Sequence, residues 1–389
     1  MPSPLEQEIR SLIRQYGRIT FARFMQVCLY SPTGGFYLRR KDWINAHFGT
    51  SPTTHPVFGA LIARQLEQMW TLMGEPPVFH VIEVGSGDSV LAQSVVNATR
   101  RNTPGLAQAL IYVALDYQPG WAEAPDNIFD WPRASGAWQP PGRAAVTSGV
   151  RLVKGEGLRP VRNVQGCILS NELIDNFPVH RFAFQGGRVR EVFVTLDGEE
   201  FAEVLDEPST YRIEERLAGL GLSLPEGYRG EVNLAMEDWV AQISTVLERG
   251  FILTIDYGDL ADGLYSLQNS GETLYSVGKH IVDAVPYESP GRRDITCQVD
   301  FTSLMRLGEQ HGLDTVGYVQ QRQFLDNLGI SSYLAELENR EVSAARKELN
   351  RIAMTSLVDP DDYGSIKVLA QSKGMAPDVG LMGFRGRKE

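Results

Sequence analysis

Apolar residues recur at helical spacing along the first 75 residues. Leu5, Ile9, Leu12, Ile13 and Tyr16 share one face, Ile19 to Leu29 continues the period, and Pro56 to Met73 forms a third amphipathic stretch. YSPTGGFYL and the run ending in FGTSPTTHP separate them and hold too much Gly, Pro and Thr for a helix, so both are expected to be loops. At Val78 the period changes. VFHVIEV is a β-branched run stopped by GSG, after which Leu91, Val95 and Val96 return to helical spacing, giving strand, glycine turn and helix. LIYVAL, ending at Asp116, predicts a second strand, residues 150–153 a third, and GCILS at 166–170 a further one. Strands alternating with helices imply an α/β fold with a parallel, doubly wound sheet. Residues 117–149, rich in Trp, Pro, Gly and Ala, read as an inserted surface segment.

After Pro178 the texture shifts. VHRFAF and RVREVFVTL alternate on either side of Gly186-Gly187 and predict a β-hairpin, while Tyr211 to Gly230 shows no clear period. A helix over Val232 to Leu247 leads into GFILTIDYG, a buried strand closed by Gly258. Then come a loop (259–293), a helix (301–310), a long helical stretch (331–355) and a late strand, SIKVLAQ.

The chain has 389 residues, of which 43% are hydrophobic and 22% charged, an ordinary globular composition long enough for two or three domains or one enlarged α/β domain. A net charge of −11 repels phosphate backbones and anionic lipid, so nucleic acid is not an expected partner. Cys28, Cys167 and Cys297 lie far apart without a CxxC pair, as in a chain with reduced thiols. The start MPSPLEQEIR lacks a basic region with an apolar run, and no stretch reaches the ~20 apolar residues of a membrane span. A soluble protein in the cytoplasm is the expectation.

VIEVGSGD, residues 81–88, is the strongest local signal. Gly85 and Gly87 let the backbone approach a ligand, and the helix that follows offers free amides to a carboxylate or phosphate. A dinucleotide fingerprint needs a small residue where Val90 stands. The pattern therefore fits S-adenosyl-L-methionine (SAM) better, with Glu83 facing its cationic methionine end; a tight turn without a ligand is the plain alternative. Asp116 closes the next strand where adenosine-binding folds place an acid for the ribose hydroxyls, or else it caps a helix. Glu156 is either a partner for the adenine amino group or a solvated loop residue.

In ILSNELIDNFPV, residues 168–179, a strand empties into Asn171, Glu172 and Asp175, which places this cluster on the ligand-binding rim. In a helical turn Glu172 and Asp175 share a face, and two carboxylates on one side suit a guanidinium; helix capping is the alternative. Asp294, in DITCQVDF, and His280 upstream are further candidates that also read as ordinary loop residues. No metal, serine-hydrolase or nucleotide-hydrolysis motif stands in the chain, so no metal is expected.

With these residues in view the chain resembles the MidA family of SAM-dependent methyltransferases, which includes a mitochondrial complex I assembly factor that methylates an arginine. ITFARFMQVCLYSPTGGFY, FGTSPTTHPVFG, VIEVGSGD, NELIDNFPVHRF, FILTIDYG, GRRDITCQVDFTSL, QFLDNLGI and GSIKVLAQ follow in the family's order. The resemblance implies a class I methyltransferase fold, Rossmann-like, with a helical cap at residues 1–75, a methyltransferase domain at 76–389 and an insertion at about 178–230. It also implies that Glu83, Gly85 and Gly87 form the SAM loop, Asp116 binds the ribose, Asn171 and Glu172 line the active-site rim, and Thr50 and Ser51 lie over the cofactor. Two positions depart from the family: Ser89 where another glycine is usual, and Thr53 where Glu often follows TSP.

The expected chemistry is methyl transfer to an arginine guanidinium, with S-adenosyl-L-homocysteine (SAH) as product. A guanidinium must lose a proton as its nitrogen is methylated; Glu172 and Asp175 are expected to clamp it, and Asp294 or His280 to take the proton. The expected substrate is a protein. Free arginine or another small guanidino metabolite is the rival, with Arg292 and Arg293 as the anchor for its carboxylate, and a SAM-binding assembly factor without catalysis is a third reading. The oligomeric state stays open, a homodimer included.

Overall fold

The computed structural model describes residues 2–38, 49–117, 129, 151–155, 161–278, 281–283 and 286–386. His280, Glu156 and nearly all of the 117–149 segment lie outside them. The chain divides into two compact units, a sheet unit (Gly49–Glu172, Ala241–Asp256, Gly308–Glu389) and a second unit (Met1–Phe48, Leu173–Val240, Tyr257–Leu307).

The sheet unit is built on seven strands: β1 Phe79–Val84, β2 Leu110–Leu115, β3 Arg151–Gly155, β4 Val164–Asn171, β5 Leu247–Asp256, β6 Asp314–Gln320 and β7 Lys367–Lys373. Their order across the sheet is β6-β7-β5-β4-β1-β2-β3. The first five are mutually parallel, and β7 runs antiparallel to both β5 and β6. Strand order reverses between β1 and β4, the place where open α/β sheets bind ligands outside the carboxyl ends of their strands. β4 and β5 are buried along nearly their whole length, as strands covered on both faces must be. Helices Val57–Leu72 and Val90–Asn102 approach so closely that a Cβ on Gly59 would stand 2.3 Å from the Ser94 Cβ.

Two local expectations change here. The TSPTT segment is not all loop, because Ser51–Thr54 makes one helical turn with Pro52 in its first positions, where proline's missing N–H costs nothing. The helical stretch near the end is two helices, Ile330–Glu338 and Ala344–Ser356.

In the second unit the Gly186-Gly187 turn makes the hairpin His180–Gln185 with Arg188–Asp197, both glycines at positive φ (63° and 73°). Strands Glu200–Asp206 and Arg229–Val232 extend this sheet. Ile19–Thr20 joins it too, Ile19 pairing with Val194, so the second amphipathic segment starts as strand and becomes a helix only over Phe21–Tyr30. A three-stranded sheet contains Leu274–Gly278, residues 281–283 and Asp294–Cys297. Residues 211–230, without visible period, contain the helix Arg212–Leu220; it buries only Ile213 and Leu217, too short a stripe to register.

The N-terminal region is therefore not one cap ending near residue 75. Leu5, Ile9 and Ile13 bury their stripe in a core with Val194, Leu274 and Ile295, whereas Val57–Leu72 belongs to the core of the sheet unit. Hydrophobic partners, not sequence position, set the boundary at residue 48. Among the described residues no helix is long and apolar enough to cross a membrane.

Candidate functional site

β1 ends in Val84 and the turn Gly85-Ser86-Gly87. Three hydrogen bonds latch this turn to the end of β2: the Gly85 and Ser86 amides donate to the Leu115 carbonyl (2.9 and 3.0 Å), and the Gly87 amide donates to Asp116 Oδ2 (2.7 Å). The glycine turn and the acid 29 residues later are thus one local structure. Gly87 has φ +50°, and a Cβ there would meet nothing within 4 Å, so the backbone is open to a ligand's close approach. Ser89, at the family's glycine position, also takes a left-handed conformation (φ 61°) as it starts the helix Val90–Asn102. Glycine is favoured there for that reason, and serine adopts the same backbone at some strain.

Glu83 is buried in β1, 3% exposed, and its Oε2 accepts the Tyr112 hydroxyl at 2.8 Å. Burial beside this carboxylate pushes the tyrosine well above its ordinary pKa, so Tyr112 stays a donor.

Across the strand-order reversal, β4 ends in Ser170 and Asn171, followed by Glu172. Glu172 does not sit on a helix with Asp175. It has φ +50°, and its amide donates to the Ile255 carbonyl on β5 (2.8 Å), which breaks the helical register; only Ile174–Asn176 form a short 3-10 turn. Glu172 Oε1 accepts the Asn171 side-chain amide (3.0 Å) and the Ser51 backbone amide (3.4 Å). Ser51, expected with Thr50 over the cofactor, bonds to Glu172 and Gln321, and Thr50 bonds to Thr53 and Thr54. The Thr53 hydroxyl accepts the Thr50 amide at 2.8 Å, the bond that closes a capping box at this third helical position.

The residues fit SAM. Ser86 Oγ and Ser170 Oγ are buried at the carboxyl ends of β1 and β4 with no hydrogen-bond partner among the described residues. Buried polar atoms without partners cost stability and are few in folded proteins, so two at the strand-order reversal mark a place for a polar ligand. The Gly85–Gly87 turn would hold its methionine end and Asp116 its ribose. Among the described residues no acidic or thiol/imidazole cluster could hold a metal ion.

Asp175 and Asp294 belong to the second unit. Thr296 donates to Asp175 Oδ2 (2.7 Å), and the Tyr37 hydroxyl to Asp294 Oδ2 (2.9 Å). Asn176 Nδ2 reaches both Asp294 oxygens (3.3 and 3.4 Å), and Tyr30 stacks on Tyr37. Burial, and secondly the charge of Asp175, push the Asp294 carboxyl up to about 7. Tyr37 and Asn176 were not signalled by the sequence, since their roles depend on a strand more than 100 residues away. Arg293, the expected carboxylate anchor, is engaged with Glu288 (3.5 Å) and the Ser276 carbonyl (3.5 Å).

Comparison with known proteins agrees with this geometry. The chain is 26% identical to the protein arginine methyltransferase NDUFAF7 homolog of Drosophila melanogaster, over 95% of this chain and 85% of that one. It is also 26% identical to human protein arginine methyltransferase NDUFAF7, over 93% and 81%. These relatives are named as mitochondrial proteins, which overturns the cytoplasmic location expected from the start of the chain. A crystal structure from Burkholderia thailandensis bound to SAH superposes with a TM-score of 0.79 at 26% identity, covering 97% of this chain and 94% of that one. A second from the same organism gives 0.79 at 28%, covering 98% and 94%. The family model of S-adenosyl-L-methionine-dependent methyltransferases matches residues 61–319. With the doubly wound sheet and its glycine turn, this makes the chain a member of the MidA family, a SAM-dependent methyltransferase of the class I fold.

Proposed function

We propose that the protein methylates an arginine guanidinium of a protein substrate. The observation that carries the proposal is the acceptor set at the end of β4: the Glu172 carboxylate, held by Ser51 and Asn171, beside Asn171 Oδ1. Such a set suits a planar cation with several N–H donors. The relatives named protein arginine methyltransferases support the same substrate class.

Bound SAM supplies the electrophilic methyl group. As the N–CH3 bond forms and the S–CH3 bond breaks, the guanidinium nitrogen gives up a proton and SAH is left. Glu172 is proposed to hold the guanidinium with its charge directed away from the attacking nitrogen, so that alignment supplies most of the acceleration. The released proton passes to water as the nitrogen is methylated.

Calorimetric titration with SAM, followed by an SAH-release assay with arginine peptides and free arginine, tests the reading. Turnover on peptides is expected. Turnover on free arginine alone would make this a metabolite enzyme, and SAM binding without turnover on either an assembly factor. Glu172→Gln is expected to abolish turnover while SAM affinity stays within a few-fold; unchanged turnover would remove Glu172 from the mechanism.

A further inference from the structure

Glu172 is fixed by residues that are themselves fixed from behind. Ser51 and Gln321 are both fully buried, each 0% exposed. The Gln321 side-chain amide donates to the Leu357 carbonyl (2.9 Å), and its backbone amide to the Ile366 carbonyl (2.6 Å). With its nitrogen so used, Gln321 presents Oε1 to the Ser51 hydroxyl, which donates at 3.1 Å. The hydroxyl is thereby committed, and what Ser51 offers Glu172 is its backbone amide. Pro52 has no amide to compete, and the Thr50 amide is taken by Thr53. On the other side the Glu172 backbone is pinned to β5 in a conformation disfavoured for a side-chain-bearing residue. A glutamate has three rotatable side-chain bonds, and holding its carboxylate in one place requires such a frame.

We propose that Gln321 and Ser51 are positioning residues that aim the Glu172 carboxylate, acting through the chain Leu357–Gln321–Ser51–Glu172. The inference rests on the reading of Glu172 given above. Gln321 opens the helix Gln321–Leu328, some 150 residues after Glu172, and no sequence motif marks it.

Crystal structures of Ser51→Ala and Gln321→Met provide a test that needs no substrate. The Glu172 carboxylate should leave the Ser51 amide in both, with β4 and the glycine turn unmoved. An unmoved carboxylate in both would overturn the proposal. In the SAH-release assay, with acetyl-Gly-Arg-Gly-amide as the probe, each variant should lower kcat by about ten- to a hundredfold. KM and calorimetric SAM affinity should stay within a few-fold. If Gln321→Met does not fold, Ser51→Ala carries the test alone. Wild-type kcat in Ser51→Ala, alongside an inactive Glu172→Gln, would overturn the positioning role and leave Glu172 in place. A Glu172→Gln protein with full turnover would overturn the reading of Glu172 and this inference with it.

Discussion

Single residues in unusual conformations or protonation states carry much of this molecule's character. Glu172 and Ser89 both adopt positive φ without being glycine, and both stand where the chain leaves or enters the rim of the sheet. His55 is wholly buried, its Nδ1 accepting the Val57 amide (3.0 Å) and its Nε2 bonded to Asn350 Oδ1 (2.8 Å). These bonds demand a neutral ring with its proton on Nε2, and burial pulls its pKa from 6.5 down to about 4. Because the unfolded chain takes up a proton first as pH falls, the native advantage of the neutral ring is complete above pH 6.5. It is lost progressively towards pH 4, by about 3 kcal/mol in all. The raised Asp294 acts in the opposite sense, favouring the fold at low pH and withdrawing that support as pH rises through 7. A comparison isolates the histidine: the Tm difference between wild type and His55→Gln should narrow as pH drops from 7 to 5. A constant difference would contradict the assignment.

At the scale of elements, strand–glycine–helix at residues 79–102 and the hairpin around Gly186-Gly187 were legible because each rests on local chemistry. The place of Asp116 was legible as well, since an acid closing the second strand is a positional feature, and its bond to the Gly87 amide sets it beside the glycine turn. The one-turn helix Ser51–Thr54 and the helix Arg212–Leu220 were not, being too short to show a period. Gln321 was beyond reach, because its role is created by partners at residues 51, 357 and 366. Helix contact is equally nonlocal, and Gly59 reports it. Alanine there gains up to about 1 kcal/mol of helix propensity, but its Cβ would stand 2.3 Å from Ser94 Cβ and 3.1 Å from the Ser94 and Val95 backbone. Gly59→Ala should therefore lower stability by about 1–3 kcal/mol despite the propensity, measurable by denaturant melts.

For the whole molecule the notable fact is interleaving. The chain changes unit after residues 48, 172, 240, 256 and 307, so neither unit is a continuous stretch. Deleting residues 1–48 should leave the core of the sheet unit complete but strip Leu5, Ile9, Ile13 and Phe24 from around Val194, Leu274 and Ile295. The shortened chain is expected to expose that apolar surface, bind a hydrophobic dye and lose the native melting transition of the full chain. Two departures from the sheet unit, after Glu172 and after Asp256, lie at the carboxyl ends of β4 and β5. For inheritance this means that the strand pairing of the sheet and its glycine turn are encoded entirely outside residues 173–240 and 257–307. A lineage built this way can lengthen, shorten or recolour its two excursions while the seven-stranded sheet keeps its pairing, because no strand of that sheet lies within them.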